Sequence, residues 1–285
     1  MMFRVFRLIL CCCCVLTLLL PTRAADGGRP KFFFLVITDI QLGMYEHDQD
    51  FRREAQDLEK LVAVANRLHP AFVVNCGDLV NRAGDSREIQ EYKRIMTGLN
   101  PKIPLYNVPG NHDVKNNPTP ASLAAYRAEF GKDYYSFEYE GFQGIVLNTS
   151  LIKYPESAPH EAEQQSEWLN ATLAKTKDSK QTVIFQHIAW FLNDVDEADN
   201  YSNLQKSERK GYLKRFQEAH VRYIFAGHLH DSAFGTDGDI QMRTVGALGK
   251  PLGKTPPGFG IVVVNGHDLK FTYYPLSSPP SEVIK

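Results

Sequence analysis

The sequence predicts an α/β fold built on two β-sheets. Between Lys31 and Val108, short apolar runs of strand length alternate with amphipathic helical patterns. In the middle of the chain, two aromatic-rich runs flank Glu140-Gly141, and after Ile240 the sequence returns to β-structure. Fully apolar strands separated by helices argue for parallel βαβ units, whereas runs on either side of a two-residue turn argue for an antiparallel hairpin.

Phe32 to Thr38 is apolar almost throughout, as a strand covered on both faces must be. Leu58, Leu61, Val62, Ala65 and Leu68 repeat at the spacing of one helix face, and His69-Pro70 ends that helix, because a residue before proline leaves the α region. Ala71 to Asn75 is the second strand. Asp85-Ser86-Arg87-Glu88 reads as a capping box opening a helix with Ile89, Tyr92, Met96 and Leu99 on its inner face, and Ile103 to Val108 is the third strand. Such units connect by right-handed crossovers. Tyr134 to Tyr139 and Phe142 to Asn148 form the hairpin. Helices at Glu161 to Ala174 and near Leu204 to Ala219 alternate with strands at Thr182 to Gln186 and Val221 to Phe225, before β-structure at Ile240 to Ala247, Gly260 to Asn265 and Leu269 to Tyr274. Gly235-Thr236-Asp237-Gly238-Asp239 reads as a turn that lacks the spaced ligands of a calcium loop. With no internal repeat and no linker before Ser277, residues 25 to 285 are expected to form one domain with its core at about 31 to 275.

Composition supports a large buried core. Of 285 residues, 43% are hydrophobic and 23% charged, which excludes a disordered, collagenous or polytopic membrane chain. A formal net charge of -1 gives no electrostatic basis for a nucleic-acid partner. Arg4 and Arg7, the charge-free run Leu8 to Leu20 and Thr22-Arg23-Ala24 have the three parts of a secretory leader, and cleavage is expected near Ala24. The apolar run is shorter than the ~20 residues that span a bilayer, so export is expected and no membrane span in the mature chain. Removing the leader takes three arginines and no acids, leaving 29 basic against 33 acidic residues. It also removes Cys11 to Cys14, so Cys76 has no intramolecular disulfide partner and reads as a small buried hydrophobe.

Residue types that bind metals follow the strands one after another. Asp39 follows the first, Gly77-Asp78 the second, Gly110-Asn111-His112-Asp113 the third, His187 a later one, and Gly227-His228-Leu229-His230 the last of that series. Sites in open α/β sheets form outside the carboxyl ends of strands, so these five stretches can converge although they span almost two hundred residues. Oxygen and imidazole donors without a thiolate suit manganese, iron, zinc or magnesium.

In this order the motifs resemble those of the calcineurin-like metallophosphoesterases. The stretches Asp39-Ile40-Gln41-Leu42-Gly43, Asn117-Pro118-Thr119 and Phe185-Gln186-His187-Ile188 are similar to the branch of calcineurin-like phosphoesterase domain-containing protein 1. The resemblance implies a four-layer αββα sandwich of two mixed sheets and a hydrolase of phosphate monoesters that uses two divalent metal ions and a metal-bridged hydroxide, and the likeness to that branch implies protein phosphoserine and phosphothreonine as substrates. It also implies the site. One metal takes Asp39, Asp78 and His230; the other takes Asp78, Asn111, His187 and His228, with Asp78 bridging. His112 would protonate or stabilise the leaving oxygen.

Two positions depart from the family pattern. Gln41 stands where most members have His and would offer a weaker amide ligand. Asn81 stands where the phosphoprotein phosphatases carry the Asp that orients the catalytic histidine, a role Asp113 could take over. Arg82 could grip phosphate bidentately or be a solvated surface side chain. A phosphodiesterase, or a metal- or phosphate-binding protein without catalysis, is the alternative on the same scaffold.

Overall fold

The computed structural model describes residues 31–176, 179 and 181–284. The expected leader and its cleavage site therefore lie outside the described residues. The elements are β1 (Lys31–Ile37), α1 (Arg52–Leu68), β2 (Val73–Asn75), α2 (Ser86–Met96), β3 (Leu105–Asn107), α3 (Asn111–Val114), α4 (Pro120–Phe130), β4 (Tyr135–Tyr139), β5 (Phe142–Val146), α5 (Thr149–Lys153), α6 (Pro159–Lys175), β6 (Gln181–Phe185), α7 (Lys206–Glu218), β7 (Tyr223–Ala226), β8 (Ala233–Asp237), β9 (Ile240–Thr244), β10 (Gly258–Asn265) and β11 (Asp268–Pro275).

They form two mixed sheets, ordered β11-β10-β1-β2-β3 and β4-β5-β6-β7-β9-β8. In the first, β1, β2 and β3 run parallel; in the second, β5, β6, β7 and β9 do. Successive residues of β1 point to opposite faces, and both faces are covered. Phe32, Phe34 and Val36 pack between the sheets with Phe72, Phe142, Phe185 and Phe225, while Phe33, Leu35 and Ile37 face α1 and α2 through Leu58, Leu61 and Tyr92. On the far side, Ile145, Ile184 and Ile224 pack under Leu169 and Leu173 of α6 and Leu213 and Phe216 of α7. The result is the four-layer αββα arrangement. Phe34 stacks on Phe72 at a centroid distance of 4.7 Å, and each such buried ring contributes roughly 1.5–3 kcal/mol.

Local chemistry explains most boundaries. His69 ends α1 in the left-handed region at φ 54°, its N–H donating to Ala65 O. Glu140 and Gly141, at φ 48° and 84°, supply the two positive φ values that a tight hairpin needs. Other details differ from the sequence reading. Asp85 does cap α2, accepting from the N–H groups of Arg87 and Glu88, but the reciprocal half of the capping box is not made. The Glu88 carboxylate instead accepts from the N–H groups of Asn81 and Arg82, so it ties the loop after β2 to the helix. The helix stops at Met96 before Gly98, with Ile95 in the core, and Leu99 is buried beyond its end. Helix α4 has no expected counterpart because its small residues are mostly alanines that mark no face. Strand β8 occupies most of the segment read as a turn, and only Gly238-Asp239 turns. No helix among the described residues is long and apolar enough to cross a membrane.

Candidate metal centre

The five strand ends meet. Asp39 lies just past β1, Asp78 past β2, Asn111 past β3, His187 past β6, and His228 and His230 past β7, so the parallel strands of both sheets deliver side chains to one point. Two groups of donor atoms lie within 4.8 Å of one another: Asp78, His187 and His228, and Asp39, Asp78 and His230. All are buried, and Asp78 belongs to both groups.

Turning five side chains inward strains the backbone. Asp39, Gln41, Asp78, His228 and His230 have φ values of 52°, 48°, 55°, 71° and 56°, a region that costs a non-glycine residue about 1–3 kcal/mol. Hydrogen bonds between the loops offset this. Asp39 N donates to Gly77 O at 2.9 Å, Gln41 N to Asp78 O at 2.8 Å and Gly227 N to His187 O at 2.9 Å. Two glycines permit the close approach. A methyl group on Gly110 would overlap Asp78 Oδ1, and one on Gly227 would overlap Thr38 Oγ1.

The imidazoles are oriented by main-chain carbonyls. A carbonyl only accepts, so the ring nitrogen facing it carries the proton and the other keeps its lone pair. His187 Nδ1 lies 2.8 Å from Cys76 O, His230 Nδ1 2.7 Å from Lys250 O, and His228 Nε2 3.1 Å from Tyr201 O. This leaves His187 Nε2, His230 Nε2 and His228 Nδ1 for the centre. His187 Nε2 sits 3.1 Å from both Asp78 Oδ2 and Asn111 Oδ1, and His230 Nε2 sits 3.3 Å from Asp39 Oδ1. Asp78 Oδ1 accepts from His112 N at 2.9 Å, but buried Oδ2 receives no hydrogen bond. Gln41 Oε1 is likewise buried without a donor, while its Nε2 donates to Asn81 Oδ1 at 2.9 Å. Lone pairs facing lone pairs, with orphaned carboxylate and amide oxygens, are the chemistry of a cation site.

The electrostatics point the same way. Burial raises the Asp39 carboxyl above its usual range, and the neighbouring Asp78 charge adds to this against the pull of His230 and His187. Burial also disfavours ionised Asp78, but His187, His112 and His228 outweigh it and hold the carboxyl well below the usual range. For His187, burial is overcome by Asp78 and the ring rises to about 9; for His228, burial and the charge of His187 push it down to about 3. Positive charge is thus favoured between Asp78 and His187, where bound cations would supply it. The Cys76 thiol is pushed up by burial, and this residue serves the site through its carbonyl alone.

Asp113 does not orient His112. Its Oδ1 accepts from Leu79 N and Val80 N at 2.9 and 3.2 Å, and its Oδ2 from Gly110 N at 2.8 Å, so it pins the loops after β2 and β3 together. His112 is held instead by the main chain, with Nδ1 2.6 Å from Asn81 O, so the side chain at position 81 does not decide its orientation. Arg82 is engaged by carboxylates rather than left free. Its side chain is 56% exposed and pairs with Asp85 and Asp48. Sequence reasoning missed Tyr201 and Lys153, which lie against the centre, and the three carbonyls that orient the histidines. A main-chain carbonyl leaves no mark on residue identity. Tyr201 follows β6 in a loop and belongs to none of the five motif stretches.

Paired buried ligand sets sharing one carboxylate, at the strand ends of two mixed sheets, have the donor arrangement of a dinuclear metal centre. Residues 34–232 match the calcineurin-like phosphoesterase family, and the chain belongs to that family. It is 32% identical to human serine/threonine-protein phosphatase CPPED1 over 263 residues, covering 86% of this chain and 84% of the human protein. The zebrafish (Danio rerio) protein of the same name is 34% identical over 262 residues, 86% of this chain and 85% of its own. Among solved structures, a dimetal phosphatase from Danio rerio has the same fold, with a TM-score of 0.60 at 20% identity over 87% of this chain and 97% of that one. A purple acid phosphatase from yellow lupin seeds superposes with a TM-score of 0.66 at 14% identity, over 89% and 53%.

Proposed function

We propose that this chain hydrolyses phosphate monoesters with two divalent metal ions, that phosphoserine and phosphothreonine are among its substrates, and that it works after export. The observation that carries the catalytic reading is Asp78, common to both ligand sets, with a buried Oδ2 that accepts no hydrogen bond. Asp39, Asp78 and His230 would hold one cation, joined by Gln41 through its orphaned Oε1. Asp78, Asn111, His187 and His228 would hold the other. Manganese, iron, zinc or magnesium suits these donors. Bound there, divalent cations lower the pKa of water and neutralise charge on the phosphoryl oxygens. Asp78 keeps the two cation sites together. His112, with Nδ1 committed to Asn81 O, keeps Nε2 for the proton that the leaving oxygen takes up.

The protein substrate is supported by the likeness to CPPED1, and export by the basic, apolar and small-residue segments before Ala25. The test is chelation of the purified protein followed by add-back of each metal, assayed on p-nitrophenyl phosphate, bis(p-nitrophenyl) phosphate and peptides carrying phosphoserine or phosphothreonine. Monoester and phosphopeptide hydrolysis should vanish on chelation and return with metal. Faster turnover of the diester would make the chain a phosphodiesterase, and inertness toward all of them with metal bound would make it a binding protein. Export is checked by the mass of the chain recovered outside the producing cell, expected to begin at or near Ala25.

A further inference from the structure

We infer that Tyr201 is a positioning residue of the metal centre: its hydroxyl selects which end of the Asn111 amide faces the cation, and its carbonyl selects which nitrogen of His228 does. The inference rests on the dinuclear reading and assigns a task to a residue outside both ligand sets.

Tyr201 lies in the segment after β6, between Ala189 and Leu204. Glu197 folds this segment on itself by accepting from Leu192 N, Asn193 N and Asp194 N. Lys153, at the end of α5 and only 5% exposed, then clamps the part that carries Tyr201. Its ammonium donates to Asn200 O at 2.9 Å, to Tyr201 O at 3.0 Å and to Asn203 O. An ammonium has three N–H donors, and here all three meet carbonyls. Lys153 therefore has no donor left for substrate, and its charge fixes main chain instead.

The anchored residue reaches two ligands of one proposed cation. Tyr201 O accepts from His228 Nε2 at 3.1 Å, which turns His228 Nδ1 toward Asp78 and His187, and the Tyr201 ring lies against the imidazole at 4.7 Å between centroids. The hydroxyl lies 3.3 Å from Asn111 Nδ2 and 3.4 Å from Asn116 Oδ1. A hydroxyl has one proton. Given to Asn116 Oδ1, it leaves only lone pairs for Asn111, which must then present its NH₂ to Tyr201 and its Oδ1 to the centre, where Oδ1 lies 3.1 Å from His187 Nε2. The two ends of an amide are nearly the same size, so shape alone would not prevent a flip that aims N–H donors at the cation. The hydrogen-bond chain prevents it. Burial does not account for the position of Tyr201, since it is 55% exposed.

The test compares wild type, Tyr201→Phe and Asn116→Ala, each stripped by chelation and titrated with Mn²⁺ in a calorimeter, with the melting temperature of the metal-free proteins measured alongside. Tyr201→Phe keeps the ring and both carbonyl contacts and loses only the hydroxyl. One of the two binding steps should weaken by about 10–100-fold, the usual effect of removing a group that orients a ligand. The other step and the metal-free melting temperature should not move. Asn116→Ala frees the hydroxyl proton and should weaken the same step by a smaller factor. Isotherms of Tyr201→Phe that superimpose on wild type would overturn the role of Tyr201 while leaving the dinuclear reading intact. Wild type that takes up fewer than two Mn²⁺ would overturn the dinuclear reading, and with it this inference.

Discussion

Asp78→Asn leaves the protein folded, strips the centre of its paired cations and lowers monoester turnover by about 10³-fold or more. The carboxylate belongs to both ligand sets, so one substitution weakens both sites, whereas loss of any histidine weakens one. The charge that bound cations place on the transition state is worth several kcal/mol, and each 1.36 kcal/mol is a factor of ten in rate. The fold should tolerate the change. An Asn can still accept from His112 N through Oδ1, and its NH₂ would face the lone pair of His187 Nε2, 3.1 Å from the present Asp78 Oδ2. The metal-free variant should melt somewhat below the wild-type temperature, because the neighbouring histidines stabilise the ionised carboxylate in the folded state and a neutral Asn forfeits that interaction. Metal content of the purified variant, read with its turnover, checks this. A variant with two bound metals and wild-type turnover would remove Asp78 from the centre.

His112→Gln gives the complementary result: metal content is retained and turnover falls by about 10²–10⁴-fold, the range for a lost general acid. His112 contributes its backbone N–H, not its ring, to Asp78, so the cation sites survive the substitution. The loss should depend on the leaving group. An alkyl alkoxide, as from phosphoserine, needs the proton and should show the full effect, while p-nitrophenolate leaves readily without one and should show a smaller loss. Equal losses on both esters would argue that the ring holds phosphate rather than donating a proton. Unchanged turnover on the alkyl ester would exclude it from the mechanism.

Wherever chemistry repeats at short range, the layout was legible in the residues. Phe32 to Thr38 is apolar on both faces because β1 lies between a second sheet and two helices, and Leu58 to Leu68 repeats at helical spacing because one side of α1 meets the sheet that contains β1. Element boundaries were less legible where a residue is set by a neighbour distant in sequence. Glu88 looks like the second half of a capping box, yet it faces the loop after β2. Asp113 looks like a partner for His112, yet three backbone N–H groups from two loops claim it.

The candidate positions were legible in their order, because a carboxylate or imidazole just past a parallel strand is carried to the same sheet end as its counterparts, while their division between two metals came from the family resemblance. The three-dimensional arrangement decided what the side chains face once they arrive. Three carbonyls choose the imidazole tautomers, Asn81 O rather than a carboxylate holds His112, and Lys153 fixes the segment from which Tyr201 reaches Asn111 and His228. Covalent order fixes which residues a strand end presents, and a linear pattern records that. Hydrogen-bond direction depends on which backbone atoms meet after the two sheets have packed, and every residue type carries the same carbonyl.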